Sequence, residues 1–291
     1  MKRRQFLGAG AALTFTLSQS RLLHALDSDN KYRNDIGIQL YTLRNQIKAN
    51  VGRTIEAVAK AGYKQVEPYG FPNADEMIQA AKDNGLAVNS THFEWDSVVN
   101  PDKKGVPPFA EILEKANKHG LTHLVIPWLP NDKRDSLDKY KTLAEQCNAA
   151  AQEAAKAGVT LAYHNHAFEF QPMDDGVSGF DIMMKEFDAA KFEVDTFWVQ
   201  VGGHDPAELV RKLKGRVTQL HLKDLDDSIK TPMYDGLPQT AFKELGNGVI
   251  DIEPLIDAAA DAGVAHCHVE QDHSPNPMKS IRQSMKHLKS L

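Results

Sequence analysis

Residues 157–166 read Ala157-Gly158-Val159-Thr160-Leu161-Ala162-Tyr163-His164-Asn165-His166. Gly158 follows an alanine-rich stretch and marks a helix stop, because glycine takes the left-handed backbone conformation found just past a helix end. Val159 to Tyr163 is a short apolar run of the kind that forms a buried strand, and His164 closes it with a metal-type side chain. Three further runs close in the same way. Phe192-Glu193-Val194 precedes Asp195, Val217-Thr218-Gln219-Leu220 precedes His221, and His266-Cys267-His268-Val269 precedes Glu270. The C-terminal ends of successive parallel strands are where a (β/α)8 barrel keeps its active site. Two imidazoles and two carboxylates converging there would bind a divalent cation.

The same glycine punctuation recurs at Gly62, Gly85, Gly120, Gly215 and Gly263, each ending a helix-like stretch before a strand-like one. The pattern predicts a single α/β domain, a (β/α)8 TIM barrel over residues 27–291. Strands are expected at about Ile36–Tyr41, Gln65–Tyr69, Ala87–His92 and His123–Pro127, then ending at His164, Asp195, His221 and Glu270. Helices are expected near Thr54–Ala61, Ala74–Asp83, Phe109–Lys118, Ser136–Ala157 and Met278–Lys289. Two connections, His166–Gly179 and Lys223–Val249, are long for a compact barrel and read as lids beside the site. The competing fold, an open doubly wound sheet, lacks its Gly-x-Gly-x-x-Gly turn after strand 1.

Residues 1–26 stand apart. Lys2-Arg3-Arg4-Gln5-Phe6-Leu7 precedes an apolar run too short to span a bilayer, and it resembles a twin-arginine export signal. This predicts a periplasmic protein, exported already folded, whose mature form has no membrane anchor. No Ala-x-Ala site marks the cleavage point, which is expected between Ser20 and Asp29. Removing 1–26 takes away four basic residues and no acid, moving the formal charge from −5 to −9. An acidic protein without Lys/Arg clusters is a poor binder of nucleic acid or anionic membrane. Cys147 and Cys267 read as packed thiols, able to pair only if the fold brings them together.

Several segments together resemble the xylose-isomerase-like TIM-barrel superfamily of sugar phosphate isomerase/epimerases, inosose dehydratases and endonuclease-IV-type enzymes. They are Val66-Glu67-Pro68-Tyr69-Gly70, Leu161-Ala162-Tyr163-His164-Asn165-His166, Val194-Asp195-Thr196, His221-Leu222-Lys223-Asp224, Leu245-Gly246-Asn247-Gly248-Val249-Ile250-Asp251 and Val269-Glu270. The resemblance runs from about Asp35 to the end. It implies one divalent metal held by residues from strands 5 to 8, which fall by position on His164, Asp195, His221 and Glu270. His164 departs from the glutamate common in relatives, and Trp198 stands where sugar epimerases typically carry a substrate-binding histidine.

Mixed imidazole and carboxylate ligands suit Mn²⁺, Co²⁺, Zn²⁺ or Fe²⁺. Such an ion polarises a sugar carbonyl and stabilises the enediolate formed when an α-proton leaves. Glu270 is the expected base, with His166 and Glu169 as alternatives, and Lys223 is expected to stabilise oxyanion charge. Glu67 and His92 are expected to hydrogen-bond sugar hydroxyls, with Glu169 and Trp198 also at the substrate. Trp128 is either rim packing or a sugar-stacking platform. Taken alone, Glu169, Asp272 and His273 read as solvated loop charges, and His266 and His268 as packing on one face of strand 8.

Three functions follow from these residues. The first is a metal-dependent sugar isomerase or epimerase working through an enediolate. The second is a lyase or dehydratase on a keto-sugar, 3-keto-glycoside or inosose, which the strand-5 histidine suits because elimination needs one base and one acid. The third is an exported, non-catalytic sugar-binding barrel. The expected partner is a small carbohydrate, and a homo-oligomer is compatible with the sequence. The acidic charge and the small histidine set argue against nuclease activity.

Overall fold

The computed structural model describes residues 30–291, so the export segment expected over 1–26 lies outside the described residues. Eight parallel strands form the sheet: β1 Gly37–Gln39, β2 Gln65–Glu67, β3 Ser90–His92, β4 His123–Ile126, β5 Thr160–His164, β6 Lys191–Asp195, β7 Val217–Leu222 and β8 His266–Val269. They pair in the order β2-β1-β8-β7-β6-β5-β4-β3. Bridges Gln65–Ala87 and Phe71–Phe93 then join β2 to β3, nearly closing the predicted barrel. One outer helix follows each strand: Val51–Ala61, Asp75–Asp83, Phe109–His119, Leu137–Lys156, Gly179–Glu186, Pro206–Lys212, Ile252–Ala262 and Pro277–Leu288.

Local chemistry sets the boundaries. The first outer helix begins at Val51, three residues before the expected start. Asn50 caps it there, its Oδ1 accepting from Arg53 N at 2.8 Å. Strand β1 stops at Gln39, two residues short of expectation. The Gln39 side chain accepts from Tyr41 N and starts a 3₁₀ turn over Leu40–Leu43. The helix Gly179–Glu186, which pattern reading left unassigned, carries a capping box between Ser178 and Asp181.

Both long connections are folded. The first makes 3₁₀ turns at Phe168–Phe170 and Asp174–Gly176. In the second, Asp224–Leu225 pairs antiparallel with Phe242–Lys243. Buried Asp224 organises the turn that follows, accepting from Gly246 N and Gly248 N at 2.9 Å and from Ile250 N at 3.0 Å.

Between sheet and helices the core is apolar. Ile38, Val66, Leu124, Leu161, Val194 and Leu220 join Ile55, Val58, Ala151, Val210 and Ile256 in one buried cluster. The lumen of the barrel is polar. Hydrogen bonds cross it between strands that are not neighbours: Gln219 Nε2 donates to Ser90 Oγ at 3.0 Å, and His92 Nε2 lies 2.8 Å from Glu193 Oε2. Polar side chains are buried only when such partners are available. Cys147 and Cys267 are both free, buried thiols, and burial pushes each up to about 12.

Candidate active site

A register shift builds the site. Between Phe192 and Glu193 the pairing of β6 with β7 slips by one residue, so Glu193 faces Gln219 and Asp195 faces His221. Without the shift Asp195 would pair with Leu220, whose side chain lies on the other face of the pleat. On the far side, β8 sets His268 beside His221. Room for the His268 ring comes from Gly37, where a Cβ would stand 2.2 Å from Cδ2.

His164, Asp195, His221 and Glu270, the four residues expected to hold a metal, come together. One ligand atom from each lies within 4.8 Å of all the others, and all four residues are buried. His164 Nε2 is 3.5 Å from Asp195 Oδ2, His221 Nδ1 is 3.9 Å from it, and His221 Nδ1 is 2.9 Å from Glu270 Oε2. Asp195 Oδ2 is buried among nitrogens of His164, His221 and Lys223, with the Glu270 carboxylate beside them. A borderline divalent cation fits this donor set. Lys223 lies among the same carboxylates, its Nζ 2.8 Å from both Asp195 Oδ2 and Glu270 Oε2 and 2.7 Å from Asp272 Oδ2.

Charge inside the site follows from burial and neighbours. Burial holds His164 down at about 3 and drives His166 well below its usual range, so both rings are neutral. Burial also opposes charge on His221, but the Glu193 and Glu270 carboxylates outweigh it and raise the imidazole well above its ordinary value. Glu270 would be raised by burial, yet Lys223 and His221 hold it well below the carboxylate range. Burial pushes Asp195 up to about 6, with Lys223 pulling the other way.

Beneath the tetrad lies a floor that pattern reading missed. Fully buried Glu193 turns Oε2 toward three imidazoles: His92 Nε2 at 2.8 Å, His164 Nδ1 at 3.1 Å and His221 Nε2 at 3.3 Å. Glu193 stands two residues before Asp195 on β6, which places it on the same face. That spacing was the available signal.

Several expectations are corrected. Glu67 is fully buried in the floor, accepting from Gln39 Nε2 at 2.9 Å, from Ser90 Oγ, and meeting His221 Nε2 at 2.7 Å. Both its oxygens are therefore engaged by protein, not open to sugar hydroxyls. His92 likewise spends Nε2 on Glu193. Glu169 is no solvated loop charge: it is fully buried, with Tyr163 Oη at 2.6 Å and His166 N at 2.7 Å, and burial lifts its carboxyl to about 8. Asp272 is half-sunk in its ion pair with Lys223. His266 and His268 do share a face, with ring centroids 6.3 Å apart.

Above the tetrad opens a cavity of about 300 Å³, lined by Trp128, Arg134, His166, Phe168, Trp198 and Tyr234 among others. Both long connections contribute to it. His166 stacks on Phe168 at 5.2 Å between centroids and tilts against Trp198 at the same distance, while Arg134 lies 3.4 Å over Phe168. Trp128 is 41% exposed at the rim.

A nearly closed barrel with acid–base and cation-compatible groups at the C-terminal strand ends defines a class of barrel enzymes that work in a buried polar centre. Residues 55–291 match the family described as xylose isomerase-like TIM barrel, and the chain belongs to that family. It is 26% identical over 261 residues to an inosose dehydratase of Clostridium perfringens, covering 81% of this chain and 88% of the relative. A sugar phosphate isomerase/epimerase structure from Parabacteroides distasonis superposes with a TM-score of 0.70 at 22% identity, covering 91% of this chain and 98% of that one. A crystal structure of IolI protein with a zinc atom superposes with a TM-score of 0.62 at 14% identity, covering 88% and 98%. The family and the inosose dehydratase relative make the chain an enzyme.

Proposed function

We propose that this enzyme removes a proton from the carbon beside a sugar carbonyl, as a metal-dependent isomerase or epimerase. The observation that carries the proposal is the convergence of His164, Asp195, His221 and Glu270 next to a buried lysine, below a cavity walled by rings. When bound by that tetrad, a divalent ion of the Mn²⁺, Co²⁺, Zn²⁺ or Fe²⁺ type supplies Lewis-acid polarisation of the carbonyl. The similarity to IolI protein with a zinc atom supports such an ion.

The chain's own groups do the rest. Lys223 and His221 hold Glu270 ionised, the state in which a carboxylate can accept the α-proton. The Lys223 ammonium, 2.8 Å from Glu270, balances negative charge as it develops on the substrate oxygen. Neutral His166 lines the cavity, where its ring can position a sugar. Trp198 also lines the cavity, where its ring surface suits the apolar face of a sugar.

A dehydratase is the second reading, and one feature favours it. His164 is a neutral imidazole at the place where a two-carboxylate proton shuttle needs an acid residue. A site with one carboxylate base and a neighbouring ammonium suits loss of a β-substituent, and the inosose dehydratase relative points the same way. One experiment separates the two. The metal-loaded protein is incubated with aldoses, ketoses, inososes and 3-keto-glycosides in D₂O and followed by NMR. Deuterium incorporation with isomeric or epimeric products supports the first reading, release of water or an aglycone supports the second, and no exchange with any compound refutes both. Export to the periplasm belongs to the same proposal, resting on Arg3-Arg4 and the apolar run behind them.

A further inference from the structure

We infer that Glu67 and Glu193 are positioning residues that fix which ring nitrogen each imidazole of the tetrad turns toward the cation. The inference rests on the metal reading above and adds a role to residues that touch neither substrate nor ion.

The geometry is specific. His164 presents Nε2 to Asp195 at 3.5 Å and Nδ1 to Glu193 at 3.1 Å. His221 is turned the opposite way, with Nδ1 toward Glu270 at 2.9 Å and Nε2 toward Glu67 at 2.7 Å, and Glu193 at 3.3 Å behind it. A ligating imidazole must offer a lone pair on one nitrogen and carry its proton on the other. A carboxylate behind the ring holds that proton in place. Glu193 therefore assigns the proton of His164 to Nδ1, leaving Nε2 for the ion. His221 meets a carboxylate through each nitrogen, and once an ion replaces the Nδ1 proton Glu67 keeps the other one on Nε2.

The floor is itself held rigid. Gln39 Nε2 and Ser90 Oγ both donate to Glu67, and Gln219 Nε2 donates to Ser90 Oγ. Donors of this kind keep the Glu67 carboxylate an acceptor, which is what the ring nitrogen behind the ion requires. Glu193 has no such set: its Oε2 meets only ring nitrogens, while its Oε1 is buried and unpartnered. The two carboxylates arise on strands β2 and β6, yet they meet the two tetrad imidazoles from the same side, below the site. Burial of two acids at the centre of a barrel is costly without partners. Orienting two ligands gives that arrangement a function.

The test uses the full chain loaded with Zn²⁺, read by ¹⁵N NMR of labelled histidines and by competition with a chromophoric chelator. In the wild type, His164 should show a protonated Nδ1 with metal on Nε2, and His221 a protonated Nε2 with metal on Nδ1. Glu193→Gln should disturb the His164 signals first, and Glu67→Gln those of His221, each with a loss of about 10–100-fold in zinc affinity. Metal-free melting of both variants checks that the fold persists. The opposite ring nitrogens in the wild type overturn the inference without recourse to any variant. Folded variants with unchanged zinc affinity and unchanged ring signals overturn it as well. A wild type that binds no zinc overturns the metal reading and this inference together.

Discussion

At the scale of single residues, the proposed chemistry rests on the tetrad and its lysine. Asp195 Oδ2 meets His164, His221 and Lys223, so truncating it removes one of the anions that these buried nitrogens share. Asp195→Ala and His221→Ala should each purify with far less than the one divalent ion per chain expected of the wild type, as measured by elemental analysis. Stoichiometric metal in both would remove them from the ligand set. Glu270→Gln keeps the shape and an oxygen but cannot accept a proton. It should lower α-proton exchange by about 10²–10⁴-fold, with the ion weakened rather than lost. His166→Ala should cost less, because the ring packs on Phe168, Trp198 and His164 and lines the cavity. The reverse order in deuterium-exchange rates would transfer the base to the strand-5 histidines.

At the scale of elements, the turn after β7 depends on one carboxylate. Asp224 accepts from the backbone of Leu225, Gly246, Gly248 and Ile250, and a Cβ on Gly248 would lie 2.3 Å from both Asp224 Oδ1 and Leu225 O. Asp224→Ala should lose about 3 kcal/mol in denaturant unfolding, since bonds to a charged acceptor are worth more than neutral ones. Gly248→Ala should lose about 1–3 kcal/mol by overpacking. Wild-type midpoints for both would show that the turn holds without this anchor. The elements divide by how far each was legible. Strand ends His164, Asp195, His221 and Glu270 announced themselves because each closes an apolar run, and the helix stops because glycine marks them. Glu193 closes no strand and so lacks that signal, although period-two spacing puts it on the lumen face with Asp195. The slip of register between β6 and β7 has no local signature, and it decides which residues of the two strands share a face. Burial of Glu169 depends on the Tyr163 hydroxyl and a 3₁₀ turn, neither of which a loop glutamate declares in sequence.

At the scale of the whole molecule, the mature domain and the segment ahead of it make separate predictions. Replacing Arg3 and Arg4 by lysine should leave the protein in the cytoplasm on cell fractionation, and unchanged delivery to the periplasm would show that the pair is not read as an export signal. Within the barrel, the polar contacts across the lumen tie β3 to β6 and β7, and β2 to β7, through the centre as well as round the wall. Under the proposed metal reading, occupancy of the site and closure of the barrel are one linked equilibrium, with the ion as its keystone. A ligand at one hundred times its dissociation constant adds about 2.7 kcal/mol to the folded state, which in a domain of this size is roughly 5–10 °C of melting temperature. Chelation should lower the melting point by that amount and the preferred ion should restore it, while a melting point indifferent to both would uncouple the two. Heat alone, with no substrate in hand, thereby becomes a way to ask this barrel which metal it was built around.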